Sequence, residues 1–593
     1  MPVKNVILAM LRPALITAAA GAVVVFAATG ANTVKAGGPV VTRADDPTAD
    51  GCKPGDCSLR EALLDAGGGE TISFNIPGAG PHVIKPTTEL PGLVDSVSID
   101  GYTQPGASPN TATAWYAGNA SMRIVLDGSA AGASVNGLSI GGTAVLIRGL
   151  VIQNFSENGI MVGAFASGTI QGNYLGTDYT GSFAAPNGGS GVNVHGSDTA
   201  VGGRSPDERN LISGNAADGI QMNGEGPILI AGNFIGTDVR GTAPLPNGND
   251  GVRLRDGTQS LIGNSDPGSG NLISGNGRNG LTMEGLGVHG VLVRGNRLGT
   301  AGDGETPLPN SGHGIYVALG AFGNTIGGVA AANQNTIAFN GGDGVALAGT
   351  AGVDNYLDPN ITHSNVGLGA DLKDDGVTLN DTDDLDTGPN DVMNFPVITS
   401  AIVVDGILEV EGTLNTVPAP FLPIFIFANS ECDPSGYGEG ERFLGEDISE
   451  GVGPNYTFEA TIEMPVYDGE YITATASNPE STSEFSKCVA IVGAPVGTAR
   501  TWGDVDCKNG VNPVDSLKIL RTDAGLGVTQ PAGCPVIGEE VQVDGVTRTW
   551  GDVDCNLALN PVDSLKILRN DAGLPIGQST GCPAVGSQVI LVA

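Results

Sequence analysis

Gly172-Asn173-Tyr174-Leu175-Gly176-Thr177, Gly232-Asn233-Phe234-Ile235-Gly236-Thr237 and Gly295-Asn296-Arg297-Leu298-Gly299-Thr300 are three copies of one hexapeptide, set 60 and then 63 residues apart. Each copy runs on to a Pro-Asn pair (Pro186-Asn187, Pro246-Asn247, Pro309-Asn310) and then to a Gly-hydrophobic strand start at Gly191-Val192, Gly251-Val252 and Gly314-Ile315. A fixed period of this length marks stacked structural units, none of which can bury its apolar face alone. Between the copies, short runs such as Ile220-Gln221-Met222, Ile228-Leu229-Ile230 and Val252-Arg253-Leu254 alternate inward and outward positions. Gly-Asn corners between them supply the positive φ that other residues resist. The pattern predicts a parallel β-helix over residues 96–368.

Asn-Leu-Ile-Ser-Gly-Asn recurs at Asn210–Asn215 and Asn271–Asn276, with a looser copy at Asn335–Asn340. The intervals Asn215 to Asn233 and Asn276 to Asn296, 18 and 20 residues, predict one coil each and three coils per cassette. With a partial upstream cassette at Asn158-Gly159-Ile160, the rod should hold about 12 coils and run ~60 Å. An antiparallel sandwich or propeller would need hairpin signals between strand pairs, and these are missing. Positions that vary between copies, Tyr174 and Phe234 against Arg297, and Asp178 and Asp238 against Ala301, mark where a binding face is to be sought.

The 593 residues carry 27 Lys and Arg against 63 Asp and Glu, a formal charge of −36. That balance argues against a nucleic-acid partner, which needs a basic surface, and favours cation binding and solubility. Five scattered His give no zinc-ligand spacing. Residues 1–36 have the form of a secretory signal: Lys4 and Arg12 lead, an apolar run follows from Ala14, and Val34-Lys35-Ala36 offers a cleavage site. With the signal removed, no membrane span is expected, and the protein should be secreted, extracellular or at the cell surface. A single membrane anchor is the competing reading. In an exported chain the eight Cys read as disulfides, and their local pairing predicts Cys52–Cys57, Cys432–Cys488, Cys507–Cys534 and Cys555–Cys582.

Residues 37–95 should form an N-terminal cap, with a short helix started by the capping box Ser58 and Glu61. Cys57-Ser58-Leu59-Arg60-Glu61-Ala62 spells the motif of the CSLREA family of exported bacterial proteins. The resemblance implies a β-helix cap and no known chemistry. Residues 369–395 are crowded with Asp and read either as a solvated acidic linker or as a calcium loop using Asp381, Asp383 and Asp386 around Gly388. Residues 396–493 predict an Ig-like β-sandwich from strands such as Ile424-Phe425-Ile426-Phe427-Ala428.

The strongest chemical signal is a duplication in residues 494–593. Trp502-Gly503-Asp504-Val505-Asp506-Cys507 returns as Trp550-Gly551-Asp552-Val553-Asp554-Cys555, and both copies continue as Asn-Pro-Val-Asp-Ser-Leu-Lys-Ile-Leu-Arg. This resembles dockerin, whose EF-hand-like loops place oxygens at loop positions 1, 3, 5, 9 and 12. The resemblance implies calcium held by Asp504, Asp506, Asn512 and Asp515 in the first copy, and by Asp552, Asp554, Asn556, Asn560 and Asp563 in the second. It also implies a small α-helical module that docks onto a cohesin-like or other surface protein. Lys508 replaces an oxygen ligand and Leu557 stands where a turn glycine is usual, so the first site should be the weaker. The Cys pairs and the wide, 48-residue offset depart from the compact dockerin tandem.

The chain therefore reads as mainly β: a right-handed parallel β-helix solenoid, an Ig-like β-sandwich and a dockerin-like tail. Three functions stay open. In the first, a non-catalytic rod presents a glycan- or surface-binding face and the tail docks in a calcium-dependent way. In the second, the rod is a pectate-lyase-like lyase or glycoside hydrolase acting on polysaccharide. In the third, it is a structural adhesin or surface-layer component. Arg253 and Arg255 share one strand face, and Gly312-His313-Gly314 matches a short polygalacturonase motif. The companion motifs are absent, so this His-Gly reads as one more cassette corner. No catalytic residue is assigned.

Overall fold

The structure, a computed structural model, describes residues 37–592 except 113–114, 116–117, 225, 267, 405, 465, 480, 494–496, 509, 532–533, 544–545, 575, 577 and 580–581. Residues 1–36, read above as a secretory signal, lie outside the described residues.

Three parallel sheets of 11, 10 and 9 strands wrap one continuous core, so each coil contributes one strand to each sheet. The rod is a parallel β-helix, as the repeats predict, but its coil differs from the expected one. Strands Tyr174–Leu175, Leu211–Ile212 and Phe234–Ile235 are neighbours in the second sheet, so one cassette spans two coils and not three. Nine to 11 strands per sheet give a rod of roughly 40–50 Å, shorter than ~60 Å. The rod is also longer in sequence than 96–368. Val40–Val41, Thr71–Phe74 and His82–Ile84 already belong to its sheets, and Ala370–Lys373 is the last strand of the third.

The asparagines explain the two-coil repeat. Asn173, Asn210, Asn233, Asn271, Asn296, Asn335 and Asn360 form one buried ladder, in which each backbone N–H donates to the side-chain oxygen of the next at 2.9–3.4 Å. Asn187, Asn215, Asn247, Asn276, Asn310, Asn340 and Asn365 form a second. Seven of the ten second-sheet strands, from Tyr174–Leu175 to Ile361–His363, are thus flanked by one member of each ladder. In Asn210–Asn215 the two stand five residues apart; in the cassettes a surface loop is inserted between them, and the Asn of Pro-Asn takes the second role. The corner glycine is obligatory where the chain turns tightest. Gly236 has φ +87°, and a Cβ there would lie 2.4 Å from both Ser274 O and Asn276 Oδ1.

Both rod ends are covered. At the start, α1 (Leu59–Asp65) packs Leu59, Ala62 and Leu63 into the rod core. Its predicted capping box is formed, and Cys52–Cys57 closes the preceding turn. Backbone N–H groups of Asp50 and Ser58 donate to Glu61 and hold its carboxyl down at about 2.

At the far end sit two four-stranded antiparallel sheets that share a core, built from strands such as Asn455–Ile462, whose side chains alternate exposed and buried. Within one of these sheets, Cys432–Cys488 joins the segment after Pro423–Asn429 to the start of Val489–Ala490. Phe425, Phe427 and Phe485 of this unit join the rod core. The Glu439 carboxylate accepts from Asn365 N–H at 3.2 Å and so stands where the next ladder asparagine would be. Asn390 likewise continues the Asn324–Asn355 pair. The acidic segment therefore buries Asp371, Asp384 and Asn390 in the junction, while Asp375, Leu379, Asp381 and Leu385 stay exposed.

Residues 497–592 form a separate unit with its own core. The two copies place α2 (Pro513–Asp523) against α3 (Pro561–Asp571), and a four-stranded antiparallel sheet, unforeseen in the sequence, joins their flanks. Each copy does to the other what the other does to it. Trp502 Nε1 donates to Val553 O and Trp550 Nε1 to Val505 O, both at 3.2 Å, and Ser516 meets Ser564 at 2.6 Å. Cys507–Cys534 and Cys555–Cys582 close each copy internally, as the equal spacing predicts. Among the described residues no helix is long and apolar enough to cross a membrane.

Candidate metal centres and the rod face

In the tail, the loop between Trp502 and α2 carries Asp504 and Asp506, and the first turn of α2 carries Asp515. Carboxylate oxygens of these three lie within 4.8 Å of one another, as do those of Asp552, Asp554 and Asp563 in the second copy. The loop curls because its own backbone feeds the carboxylates: Asp506 N–H donates to Asp515 Oδ1 (3.1 Å) and Lys508 N–H to Asp504 Oδ1 (3.0 Å). Leu557 N–H donates to Asp552 Oδ2 (2.8 Å), with Leu557 held at φ +70°.

The asparagines of the expected ligand set are turned elsewhere. Asn512 and Asn560 cap the helices, accepting from Val514 and Val562 N–H, and Asn556 Oδ1 accepts from Ala558 N–H. Each loop thus brings its three predicted carboxylates together, while its predicted asparagines accept backbone N–H groups of the same loop and helix. Helix capping and ligation compete for the same short side chain, and sequence alone does not show which wins.

The chemistry of the trios suits a hard cation. Burial, reinforced by the neighbouring carboxylates, pushes Asp515 up to about 7 and Asp563 to about 6, and raises Asp504 and Asp552. Asp506 is 6 % exposed, and its Oδ1 is buried without a hydrogen-bond partner, a donor oxygen that a cation would satisfy. Hard oxygens from short side chains favour calcium. Two lysines, which the sequence reading passed over, reach the trios: Lys518 Nζ lies 2.9 Å from Asp506 Oδ2 and Lys566 Nζ 3.4 Å from Asp554 Oδ2.

In the junction, the convergent carboxylates are Asp381, Asp384 and Asp386. Asp383, named with Asp381 and Asp386 from spacing, instead donates its N–H to Asn415 Oδ1. Asp384 accepts from Asn394 N–H and Thr416 Oγ1, and Asp386 Oδ1 is buried without a hydrogen-bond partner.

On the rod, the outer face of the second sheet is closed. Tyr174 and Phe234 are buried in an apolar stack with Val151, Leu211 and Leu272. The third-cassette equivalent, Arg297, lies over Trp115 at 4.7 Å. Asp178 and Asp238 fold their own loops by accepting backbone N–H groups, a task Asp303 performs in the third copy. The variable cassette positions are loop construction and covered surface, not a binding face.

The third sheet presents an open face. Arg253 and Arg255 do project together, and both grip Glu284 Oε1 (2.7 and 3.0 Å). Farther along, His313 occupies a corner position whose equivalents in neighbouring coils are Asn279 and Asp343; His313 N–H donates to Asn279 Oδ1, and Asp343 N–H to His313 Nδ1 (3.0 Å). The His-Gly motif is therefore a corner, as read. Its ring stacks on Tyr316 (5.3 Å), and its Nε2 lies 3.6 Å from Asp374 Oδ1. Burial opposes a charge on His313, but Asp343, Asp374 and Asp371 outweigh it and raise its pKa. Burial also lifts Asp371 to about 6. Beside them opens a cleft of about 410 Å³ between rod residues Asp343, Asp371 and Asp374 and the loop Asp433–Ser435 of the following unit. The 30-residue step from His313 to Asp343 was the signal for this cluster, hidden by the wrong coil length.

A family model described as "Right handed beta helix region" matches residues 136–331. No curated protein matches the chain. Solved structures similar to it include the following two. The A-module of mannuronan C-5 epimerase AlgE6 from Azotobacter vinelandii is 15 % identical with a TM-score of 0.21, covering 52 % of this chain and 92 % of that one. The enzymatically active domain of tailspike protein 2 of bacteriophage CBA120 is 12 % identical with a TM-score of 0.17, covering 70 % and 71 %.

Proposed function

We propose that this is an extracellular modular protein whose tail, residues 494–593, is a calcium-dependent, dockerin-like protein-docking unit carried on a β-helical rod. The carrying observation is the pair of carboxylate trios, one of them with a buried, unpartnered oxygen. Asp504, Asp506 and Asp515, and Asp552, Asp554 and Asp563, would hold the ions; bound calcium would screen the trios and fix each loop to its helix.

Docking is supported by what the helices leave exposed. Both bury the Asp-Ser pair and the isoleucine of their shared sequence, while Val514, Leu517 and Leu520 on α2 and Val562, Leu565 and Leu568 on α3 face solvent. Apolar residues three apart form a continuous stripe, the form a protein partner buries. Four disulfides suit an oxidising compartment. A panel of cohesin modules tests this reading: binding in calcium, lost in chelator and in Leu517→Asp/Leu565→Asp, is expected. Failure of every module to bind in saturating calcium would remove the cohesin partner.

For the rod, the third-sheet face is the surface we assign to glycan or cell-surface contact, because the second-sheet face is covered. A second reading, polysaccharide turnover, is favoured by one observation: imidazole, phenol and carboxylates meet beside the cleft at His313. Acidic and neutral polysaccharides, assayed for reducing ends and unsaturated products, decide between them. Turnover lost in His313→Ala would replace the non-catalytic rod.

A further inference from the structure

We infer that Lys518 and Lys566 are built-in counter-ions that lower the calcium affinity of the two tail loops; the inference rests on the calcium reading above. Each lysine stands three residues beyond the carboxylate that its helix lends to the loop, Asp515 or Asp563, and so lies on the same helix face, over the trio. The contact is not a loose surface pair. The side chains are only 18 % and 15 % exposed, and each ammonium is pinned on its other side, Lys518 to Thr529 O (3.2 Å) and Lys566 to Gln578 Oε1 (3.4 Å). Both acceptors belong to segments closed by the disulfides Cys507–Cys534 and Cys555–Cys582.

Asp506 is divided between two tasks: Oδ2 faces the lysine, and Oδ1 is buried without a partner. Each trio therefore carries one positive charge against three carboxylates. Affinity in loops of this kind follows ligand charge count, and an ammonium in contact with one ligand repels the entering dication through a partly desolvated medium. The same ammonium relieves repulsion among the carboxylates when calcium is scarce. The lysines thus hold the tail folded at low calcium and reserve docking for high calcium, as in an extracellular setting. The closer pair, at Lys518, should impose the larger penalty.

Full-length Lys518→Met, Lys566→Met and the corresponding Arg variants test this by calorimetric titration with calcium chloride, and by melting in EGTA. The Met variants should bind calcium about fivefold tighter at the altered loop, while the Arg variants stay near the unaltered protein. In EGTA the tail of each Met variant should melt at a lower temperature, a response that tighter binding alone does not produce. Calcium affinity unchanged or weakened in the Met variants would overturn the inference and leave the calcium sites standing. If the unaltered chain takes up no calcium in the tail, the calcium reading itself falls, and this inference with it.

Discussion

Asn271 shows how much one side chain carries in this rod. Its Oδ1 accepts from both the backbone and the side chain of Asn233, and its amide donates to Ile230 O and to Asn296 Oδ1. Removing it orphans buried donors and acceptors in two neighbouring coils, so Asn271→Ala should cost about 2–4 kcal/mol, read as a lowered urea midpoint. Gly236→Ala should cost a similar amount, since its Cβ meets two oxygens at a positive φ. From sequence these residues were legible as corners only. The ladder was not, because it joins asparagines 23–39 apart that become neighbours only once the coil length is known. The tail offers a pH effect at the same scale. Asp515 and Asp563 titrate higher when folded than when unfolded, so the folded tail holds extra protons. Their contribution is full below the unfolded carboxylate range and is lost as pH rises through about 6 to 7. In EGTA the tail should melt at a higher temperature at pH 5 than at pH 8, and calcium should erase the difference.

Among the elements, α1, the four disulfides and the parallel strands were legible, because a capping box, Cys spacing and period-two runs each report a local cause. Coil length was not, because the interval Asn215 to Asn233 links members of two different ladders, and it imitates a coil without being one. The tail's sheet escaped for a different reason: Gly497–Thr501 pairs with Gln588–Val592, at the far end of the module, and no local pattern announces such a pairing. Glu439 is the element-scale device at the rod end. Its carboxylate accepts from Ser364 N–H, Asn365 N–H and Asn365 Nδ2 in place of a further coil. Glu439→Ala should expose these donors, cost about 1–3 kcal/mol, and speed amide exchange at residues 361–373 while leaving the first coils protected.

For the whole molecule, the result is a rod with an element packed on each end, which guards its terminal coils against end-to-end association. One long outer face is covered and another is open, and the tail keeps a separate core. A charge of −36 keeps such a molecule soluble and draws cations to it. The first tail loop and the junction trio each combine converging carboxylates with a buried oxygen left over, Asp506 Oδ1 and Asp386 Oδ1; among the described residues the tail alone repeats its trio in a duplicated segment, and the account stands or falls on that pair. Calcium bound per chain, measured by equilibrium dialysis on the full-length protein and on Asp515→Ala, Asp563→Ala and the double variant, is the direct test. The account predicts that each single change removes one ion and the double change two. Equal calcium on all four proteins, or none on the unaltered one, would contradict it.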